Sequence, residues 1–252
     1  MSKRRADVGD GATIPWDDDT DVLALLQGGR IVACEPLPWG SNYSFAVALA
    51  RDDEPERIAV YKPRRGEAPL WDFPSGTLYK REQAAYLLSR MLGWPGIPPT
   101  VVRDGPHGVG TVQLYIEPDD RLSFQQIRRS QSDDLRRMAL FDLIANNADR
   151  KSGHCLVDTT GRLWGIDHGL TFHSQGKLRT VIWDFAGEPI AASDISQLEA
   201  ICEQPCEAEV RGRLSAWLSR GEINAFYRRV EHLALTGVFP HLESYRSVPW
   251  GW

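Results

Sequence analysis

The sequence predicts an α+β protein with a small antiparallel sheet and a helix in its N-terminal part and mostly helices in its C-terminal part. Three β-branched and aromatic segments, IVACEPLP, FAVALA and RIAVYKP, follow one another through short connections. Strands joined this closely pair antiparallel, because a parallel pair needs a longer crossover. Two later segments, TLYKREQAAYLLSRMLGW and SDDLRRMALFDLIANN, repeat apolar residues with the period of a helix. We therefore expect a lead-in at 1–18, an N-lobe at 19–117 and a C-lobe at 118–252.

Composition narrows the class of protein. With 252 residues, 42% hydrophobic and 25% charged, the chain can form the core of one large domain or of two lobes. A net charge of -5 gives no electrostatic basis for binding nucleic acid. No apolar run approaches a membrane span, the start lacks the apolar core of a signal peptide, and four cysteines are too few for a disulfide scaffold. We expect a cytoplasmic protein with at most transient membrane contact.

The first elements have ordinary start and stop signals. Asp19 or Thr20 is placed to cap a short helix, and Gly28 and Gly29 to end it. The turn around Ser41 joins the first two strands, and it fits either a plain hairpin or a loop that covers phosphates.

Lys62 and Glu82 are candidate partners. Lys62 ends the strand RIAVYKP, where a flexible ammonium can reach from the sheet to a phosphate, although exposed lysines also occur at strand ends. In the following helix, Glu82 borders a stripe formed by Leu78, Ala85 and Leu92, beside a main apolar face of Ala84, Leu87, Leu88 and Met91.

The strands PPTVVRDG and GVGTVQLYIEP come next, joined by a His-Gly turn. The second ends at Glu117–Pro118, where the chain becomes polar. An apolar strand followed by an extended crossover is typical of a hinge between lobes, whose backbone can pair with adenine.

Two loops that each contain an acidic residue flank a predicted β-hairpin. NADRKSGH contains Asp149 and, five residues later, His154; IDHG places Asp167 directly after the apolar strand LWGI. In kinases one loop supplies an Asp beside the attacking hydroxyl and a metal ligand five residues on, and an Asp-x-Gly turn holds the metal on the ATP phosphates. Asp, Asn and Gly are also common turn residues, so the loops alone fit a surface hairpin equally well.

A long irregular segment, LTFHSQGKLRTVIWDFAGEPI, follows the second loop. Its basic residues Lys177 and Arg179 fit either solvated side chains or a site for an anionic group. Two or three helices then close the chain.

In this order, the segments AVYKP, TVQLYIE, NNADRKSGH with its preceding helix, and WGIDHGLTF resemble the phosphatidylinositol 3-/4-kinase-like group, and most closely the type II phosphatidylinositol 4-kinases. The resemblance covers roughly residues 31 to 190 and extends to the wider set of atypical kinases that includes HipA-type protein kinases. It implies a two-lobed, protein-kinase-like fold, ATP and Mg²⁺ or Mn²⁺ as cofactors, and a hydroxyl acceptor.

The resemblance also implies roles for matching residues of the N-lobe. Lys62 would hold the ATP phosphates and Glu82 would anchor Lys62. Leu114, Tyr115, Ile116 and Glu117 would border adenine.

In the C-lobe, the resemblance places Asp149 by the acceptor hydroxyl. His154 would be a metal ligand and Asp167 the principal one. Lys151 would add positive charge near the transferred phosphate.

The chain departs from the type II lipid kinases in two ways. His154 stands where they have Asn, and imidazole suits softer ions than Mg²⁺, so we expect a site that works as well or better with Mn²⁺. The segment RRGEAPLWDFPSGTLYK lacks the cysteines by which those enzymes reach membranes, so lipid-kinase activity does not follow from the fold.

The sequence therefore favours a kinase acting on a protein, a small molecule or a phosphoinositide headgroup. The main alternative is a pseudokinase that binds nucleotide without transferring phosphate. Adenylyl transfer and an α+β domain with turn-forming acids are weaker alternatives.

Overall fold

The first lobe is built on a five-stranded antiparallel sheet. The computed structural model describes residues 19–38, 42–51, 55–130, 132–241 and 248–249; the lead-in 1–18, Ser41 and most of the tail lie outside these ranges. The strands run in the order β1-β2-β3-β5-β4. Their bounds are Arg30–Pro36 for β1, Phe45–Ala50 for β2, Arg57–Pro63 for β3, Thr100–Gly105 for β4 and Gly108–Leu114 for β5.

Helix α1, at Thr20–Gly28, covers one face of this sheet. Its buried residues Leu25 and Leu26 pack with Tyr61 and Val112 in a small core. The predicted helix and strands of the N-terminal part are therefore confirmed.

Helix α2, at Leu78–Leu92, is buried on more sides than its apolar pattern predicts. It ends at Gly93, whose φ of 78° is left-handed and is readily adopted by glycine. Glu82 is buried, whereas Leu87 and Met91 of the predicted main face are only half-buried. The pattern failed here because α2 packs simultaneously against the sheet and the second lobe, so polar side chains with buried partners also lie inside.

The second lobe contains five α-helices among the described residues. They are α3 at Phe124–Ser130, α4 at Ser132–Ala145, α5 at Ala192–Ala200, α6 at Cys206–Ser215 and α7 at Arg220–Thr236. The seven-residue α3 was not predicted, because it buries only Ile127 and is too short to have a clear apolar period.

The hairpin predicted between the two acidic loops is confirmed. Strands β6, at Cys155–Val157, and β7, at Leu163–Gly165, pair antiparallel. The segment from 170 to 190 forms no helix or extended strand, as expected. Within the described ranges, no helix has the length and apolar character needed to cross a membrane.

Residues of α2 belong to the large core of the second lobe. Ala84, Leu88 and Leu92 pack in the same buried cluster as Leu140 of α4 and Phe226 of α7. The helix that contains Glu82 is therefore fixed by both lobes.

Candidate active site

A cavity of about 760 Å³ lies between the sheet and the two acidic loops. Small-molecule sites commonly enclose about 300–1,000 Å³, so this space is sufficient for a nucleotide. Apolar side chains from both lobes line it, among them Ala46, Val60, Leu156 and Ile166. Eight of the predicted site residues also line it: Lys62, Glu82, Leu114, Tyr115, Ile116, Asp149, His154 and Asp167.

Three charged side chains from distant parts of the chain meet at one end of the cavity. Lys62, on β3, places Nζ 2.5 Å from Glu82 Oε1 and 3.0 Å from Asp167 Oδ1. The other oxygen of Glu82 accepts a hydrogen bond from the backbone N–H of His168 at 3.1 Å. Glu82 therefore holds both the lysine and the loop that contains Asp167.

The charged groups of this cluster shift one another's pKa values. The positive charge of Lys62 stabilises the charged form of the Asp167 carboxylate, so the pKa of Asp167 lies well below its usual range. Burial acts to lower the pKa of Lys62, but Asp167 and Glu82 outweigh it and the pKa is raised. Burial raises the pKa of Glu82, opposed by Lys62.

The backbone at Asp167 has a left-handed conformation, with φ of 60°. Asp tolerates this region better than bulky residues do. Five residues on, Phe172 has φ of 59° and is fully buried, with its N–H donating to Ala145 O at 2.6 Å. Strained positions of this kind persist where surrounding contacts over-determine them.

Asp149 lies in the loop after α4, on another part of the cavity lining. Its N–H donates to Asn147 Oδ1 at 3.0 Å, and its carboxylate is 3.0 Å from Lys151 Nζ. Burial raises the pKa of Asp149, and Lys151 and then Arg179 act to lower it.

His154 contacts Asp167 and stays neutral at physiological pH. Its Nε2 lies 3.4 Å from Asp167 Oδ2, and burial lowers its pKa to about 4. Its Nδ1 accepts a hydrogen bond from the N–H of Lys151 at 3.3 Å, which assigns the ring proton to Nε2. Binding a metal through Nε2 therefore requires the proton to leave that nitrogen and the Lys151 contact to change.

Sequence reasoning missed a fully buried ion pair behind the two loops. Arg150 and Asp142 are both 0% exposed, with Arg150 Nη2 3.0 Å from Asp142 Oδ1 and Nε 3.1 Å from Oδ2. Asp142 also accepts hydrogen bonds from Asn147 Nδ2 at 2.9 Å and Thr180 Oγ1 at 3.1 Å.

The remaining donors of Arg150 connect the loop of Asp149 with the loop of Asp167. Its Nη1 donates to the carbonyl oxygens of His154 and Ile166 at 3.2 and 2.9 Å, and its Nη2 contacts His168 Nε2 at 2.7 Å. Asp142 stands on the apolar side of α4, and an acid in that position was the available signal for a buried basic partner.

The predicted adenine border is only partly assembled. Leu114, Tyr115 and Ile116 line the cavity, whereas Glu117 does not. The N–H of Tyr115 donates a hydrogen bond to Ile58 O at 3.1 Å, so the pairing of the sheet continues into the connection between the lobes.

The two basic residues of the irregular segment differ in environment. Lys177 forms an ion pair with Asp72 at 3.0 Å and lies over the ring of Trp71, with Nζ 4.8 Å from the centroid. Arg179 has its backbone fixed beside the Asp149 loop, since its N–H donates to Asn147 O at 2.8 Å.

The donor set fits a cation that is held mainly by a nucleotide. Among the residues that the structure describes, no group of three or more His, Cys, Asp and Glu side chains could hold a metal ion alone. Mg²⁺ at phosphate-transfer sites commonly uses one or two carboxylates plus substrate phosphates and water. Asp167, with His154 beside it, suits that arrangement.

Comparison with solved structures identifies the class of fold as protein-kinase-like. The structure of hydra Fam20 with sugar has a TM-score of 0.57 and 15% sequence identity, over 85% of this chain and 87% of that one. The Golgi casein kinase with Mn/ADP bound has a TM-score of 0.54 and 15% identity, over 85% of this chain and 74% of that one. The predicted two-lobed fold is confirmed by these similarities.

Sequence comparison defines the family. No family model matches the chain. Protein Rv2133c of Mycobacterium tuberculosis (strain ATCC 25618 / H37Rv) is 38% identical over 268 residues, which cover 91% of this chain and 95% of that protein. The chain belongs to the same family as protein Rv2133c.

A more distant match links the chain to a lipid kinase. Phosphatidylinositol 4-kinase gamma 4 of Oryza sativa subsp. japonica is 30% identical over 188 residues, 65% of this chain. The match spans only 31% of the rice protein.

Proposed function

We propose that the protein is an ATP-dependent phosphotransferase that moves the γ-phosphate of ATP to a hydroxyl acceptor. The observation that carries this proposal is the meeting of Lys62, Glu82 and Asp167 at one end of a nucleotide-sized cavity that Asp149 also lines. A protein that only needed turns at these positions would have no reason to bring a lysine and two carboxylates together, with Glu82 buried.

Binding of the nucleotide is assigned to groups from both lobes. Adenine would lie against Leu114, Tyr115 and Ile116, and Lys62 would contact the phosphates. Glu82 fixes the ammonium of Lys62, so that little ordering remains to be done when ATP binds.

Asp167 and His154 would hold the metal ion, which supplies charge neutralisation on the phosphates when bound. The same pair is close in space, with Nε2 3.4 Å from Oδ2. The solved Golgi casein kinase with Mn/ADP bound supports the use of a nucleotide with Mn²⁺ in this fold.

The transfer step is assigned to the loop of Asp149. The acceptor oxygen forms a bond to the γ-phosphorus while the bond from that phosphorus to the β–γ bridging oxygen breaks, which leaves ADP. Asp149 accepts the proton of the acceptor hydroxyl, and Lys151, 3.0 Å from Asp149, adds positive charge near the transferred group.

The acceptor is a hydroxyl on a protein, a small molecule or a phosphoinositide headgroup. The similarity to the rice phosphatidylinositol 4-kinase supports assignment to the phosphatidylinositol 3-/4-kinase-like group. The structural similarity to the Golgi casein kinase equally supports a protein acceptor.

The test uses purified protein, γ-phosphate-labelled ATP and either Mg²⁺ or Mn²⁺. Parallel reactions contain no acceptor, phosphatidylinositol vesicles, or a size-fractionated cell extract, with Asp167→Ala as control. Label in lipid, protein or small-molecule fractions that is lost in the variant supports the proposal and identifies the acceptor class.

The second candidate is a pseudokinase that binds nucleotide without transfer. It is favoured by the hydrogen-bond arrangement of His154, whose Nε2 faces Asp167 with its proton. Nucleotide binding with no label transfer under either metal would overturn the kinase proposal in favour of this one.

A further inference from the structure

Arg81 is a buried cation directly before Glu82 on α2. Its side chain is 2% exposed. Its Nη1 donates to Thr171 O at 2.6 Å, its Nη2 forms an ion pair with Glu222 Oε1, and its guanidinium lies 5.0 Å from the ring centroid of Phe73. A charge this deep in a protein needs such partners, because removing one leaves an uncompensated buried ion.

Glu222 is held ready for this contact by the first turn of α7. Its Oε2 accepts hydrogen bonds from the N–H and the hydroxyl of Ser219, both at 2.8 Å, and the Ser219 hydroxyl in turn accepts from Glu222 N–H at 3.3 Å. This capping box occupies Oε2 and leaves Oε1 for Arg81.

Arg81 and Glu82 together fix the segment that follows Asp167. Glu82 accepts from His168 N–H at 3.1 Å, and Arg81 donates to Thr171 O at 2.6 Å. The Thr171 hydroxyl donates to His168 O at 2.7 Å, which closes the turn between these two anchor points. Consecutive helical residues point about 100° apart, so one turn of α2 can contact Lys62 on one side and α7 on the other.

We propose that Arg81 and Glu222 are positioning residues that set the rotation and depth of α2, so that Glu82 meets Lys62. Apolar packing of α2 in the large core resists separation but is poorly directional, whereas the fork of a guanidinium fixes both distance and angle. The first turn of α7 thereby influences, through α2, the end of the cavity that contains Lys62. The effect of this positioning on catalysis rests on the proposed function, whereas its effect on the contact between Glu82 and Lys62 does not.

The main variant is Glu222→Gln, with Ser219→Ala as its matched control. In Glu222→Gln the amide oxygen keeps the two bonds from Ser219, so the NH₂ group faces Arg81 and the ion pair is lost. Ser219→Ala removes the hydroxyl bonds of the capping box and weakens the start of α7, but the backbone N–H of residue 219 still bonds Glu222 Oε2 and keeps the carboxylate in place for Arg81. The two variants therefore perturb the same turn and differ in the link to α2.

The first measurement needs no activity: the acylation rate of Lys62 by an amine reagent, followed by mass spectrometry and expressed relative to Lys80. We expect Lys62 to react about tenfold faster in Glu222→Gln, because Nζ loses its contact with Glu82 Oε1 and becomes open to the reagent. Ser219→Ala should change this ratio less than about twofold. An unchanged ratio in Glu222→Gln, or an equal rise in both variants, would overturn the proposal.

Arg81→Met covers the case in which Glu222→Gln does not fold. It removes the link without burying an unpaired cation, and Glu222 keeps its partner Ser219. We expect the same selective rise in Lys62 reactivity, and a rise at Lys62 and Lys80 alike would indicate general unfolding and count against the proposal.

The second measurement is phosphate transfer from ATP, where kcat should fall about tenfold in Glu222→Gln and stay near the wild-type value in Ser219→Ala. Equal losses in both variants would assign Glu222 a stability role only. Wild-type protein that transfers no phosphate would contradict the proposed function, while the acylation result would still decide whether α7 positions α2.

Discussion

At Asp149, burial and neighbouring cations act on the pKa in opposite directions. Burial raises the pKa, and the hydrogen bond and charge of Lys151 lower it. If Asp149 accepts the acceptor proton, kcat/KM should fall as the pH drops through this pKa. The acid limb should therefore lie above the pH range of an ordinary Asp.

We predict that Lys151→Ala moves this acid limb to higher pH, because the carboxylate loses the cation that favours its charged form. The check is the pH profile of kcat/KM for both proteins. Lys177→Ala is the matched control, since Lys177 pairs with Asp72 instead and should leave the midpoint unchanged. A midpoint that stays in place in Lys151→Ala would mean that another group titrates.

In the proposed metal site, His154 supplies an imidazole, which suits softer ions than Mg²⁺. We predict that His154→Asn shifts the preference from Mn²⁺ towards Mg²⁺, because an amide oxygen suits the harder ion. Activity titrated with each metal tests this, and the same preference in both proteins would remove His154 from the metal site.

The Arg150–Asp142 pair makes a stability prediction. Both side chains are 0% exposed, so Arg150→Met should cost about 3–5 kcal/mol by leaving the Asp142 carboxylate without its cation. Chemical unfolding measures the loss. Arg128→Gln breaks the exposed pair with Asp184 and should cost less than about 1 kcal/mol. Similar losses of unfolding free energy in the two variants would show that burial does not make the Arg150–Asp142 pair more important for stability than the exposed pair.

At the scale of elements, β3 and β5 approach unusually closely beside Lys62. A Cβ added at Gly110 would lie 2.3 Å from Lys62 O and 2.6 Å from Pro63 Cα. These contacts are with backbone atoms, so the strands themselves must move to accommodate a side chain.

We predict that Gly110→Ala destabilises the fold by about 1–3 kcal/mol and weakens nucleotide binding, because it displaces the end of β3 that bears Lys62. Urea unfolding and ATP titration are the measurements. Gly212→Ala is the control: nothing lies within 4 Å of its added Cβ, and in α6 alanine should stabilise by about 0.4–1 kcal/mol. Unchanged ATP affinity in Gly110→Ala would show that the close approach of β3 and β5 does not affect nucleotide binding.

At the scale of the whole molecule, the two larger hydrophobic cores of the described residues belong to different lobes. The smaller core joins α1 to the sheet, and the larger one includes α2 together with the helices of the second lobe. A ligand in the cavity contacts both parts, so binding should stabilise the folded chain as a unit.

We predict that ATP with Mn²⁺ at 100 times its Kd stabilises the protein by about 2.7 kcal/mol. Lys62→Met should lose most of this gain, because the phosphates lose their cation, whereas Lys80→Met on the same helix as Glu82 should keep it. Thermal unfolding with and without nucleotide measures both. An equal gain in Lys62→Met would place the nucleotide elsewhere.

Local sequence patterns predicted the strands, the helices other than α3 and the acidic residues of the two loops. Local patterns sufficed for the strands, for the end of α2 at Gly93 and for the hairpin between Asp149 and Asp167, because periodicity and turn residues act over a few positions. Lys62 and Glu82 were found as candidates for the same reason, since each stands at a recognisable place in its element.

The contacts between distant segments became known only from the tertiary structure. Lys62 and Asp167 are 105 positions apart and Arg81 and Glu222 are 141 apart, and no local pattern links such pairs. The burial of Arg81 and of Arg150 was equally hidden, because a cation lies inside a protein only when the fold brings an acid to it. Local chemistry therefore indicated the loops, whereas the geometry that joins them depends on packing between distant segments.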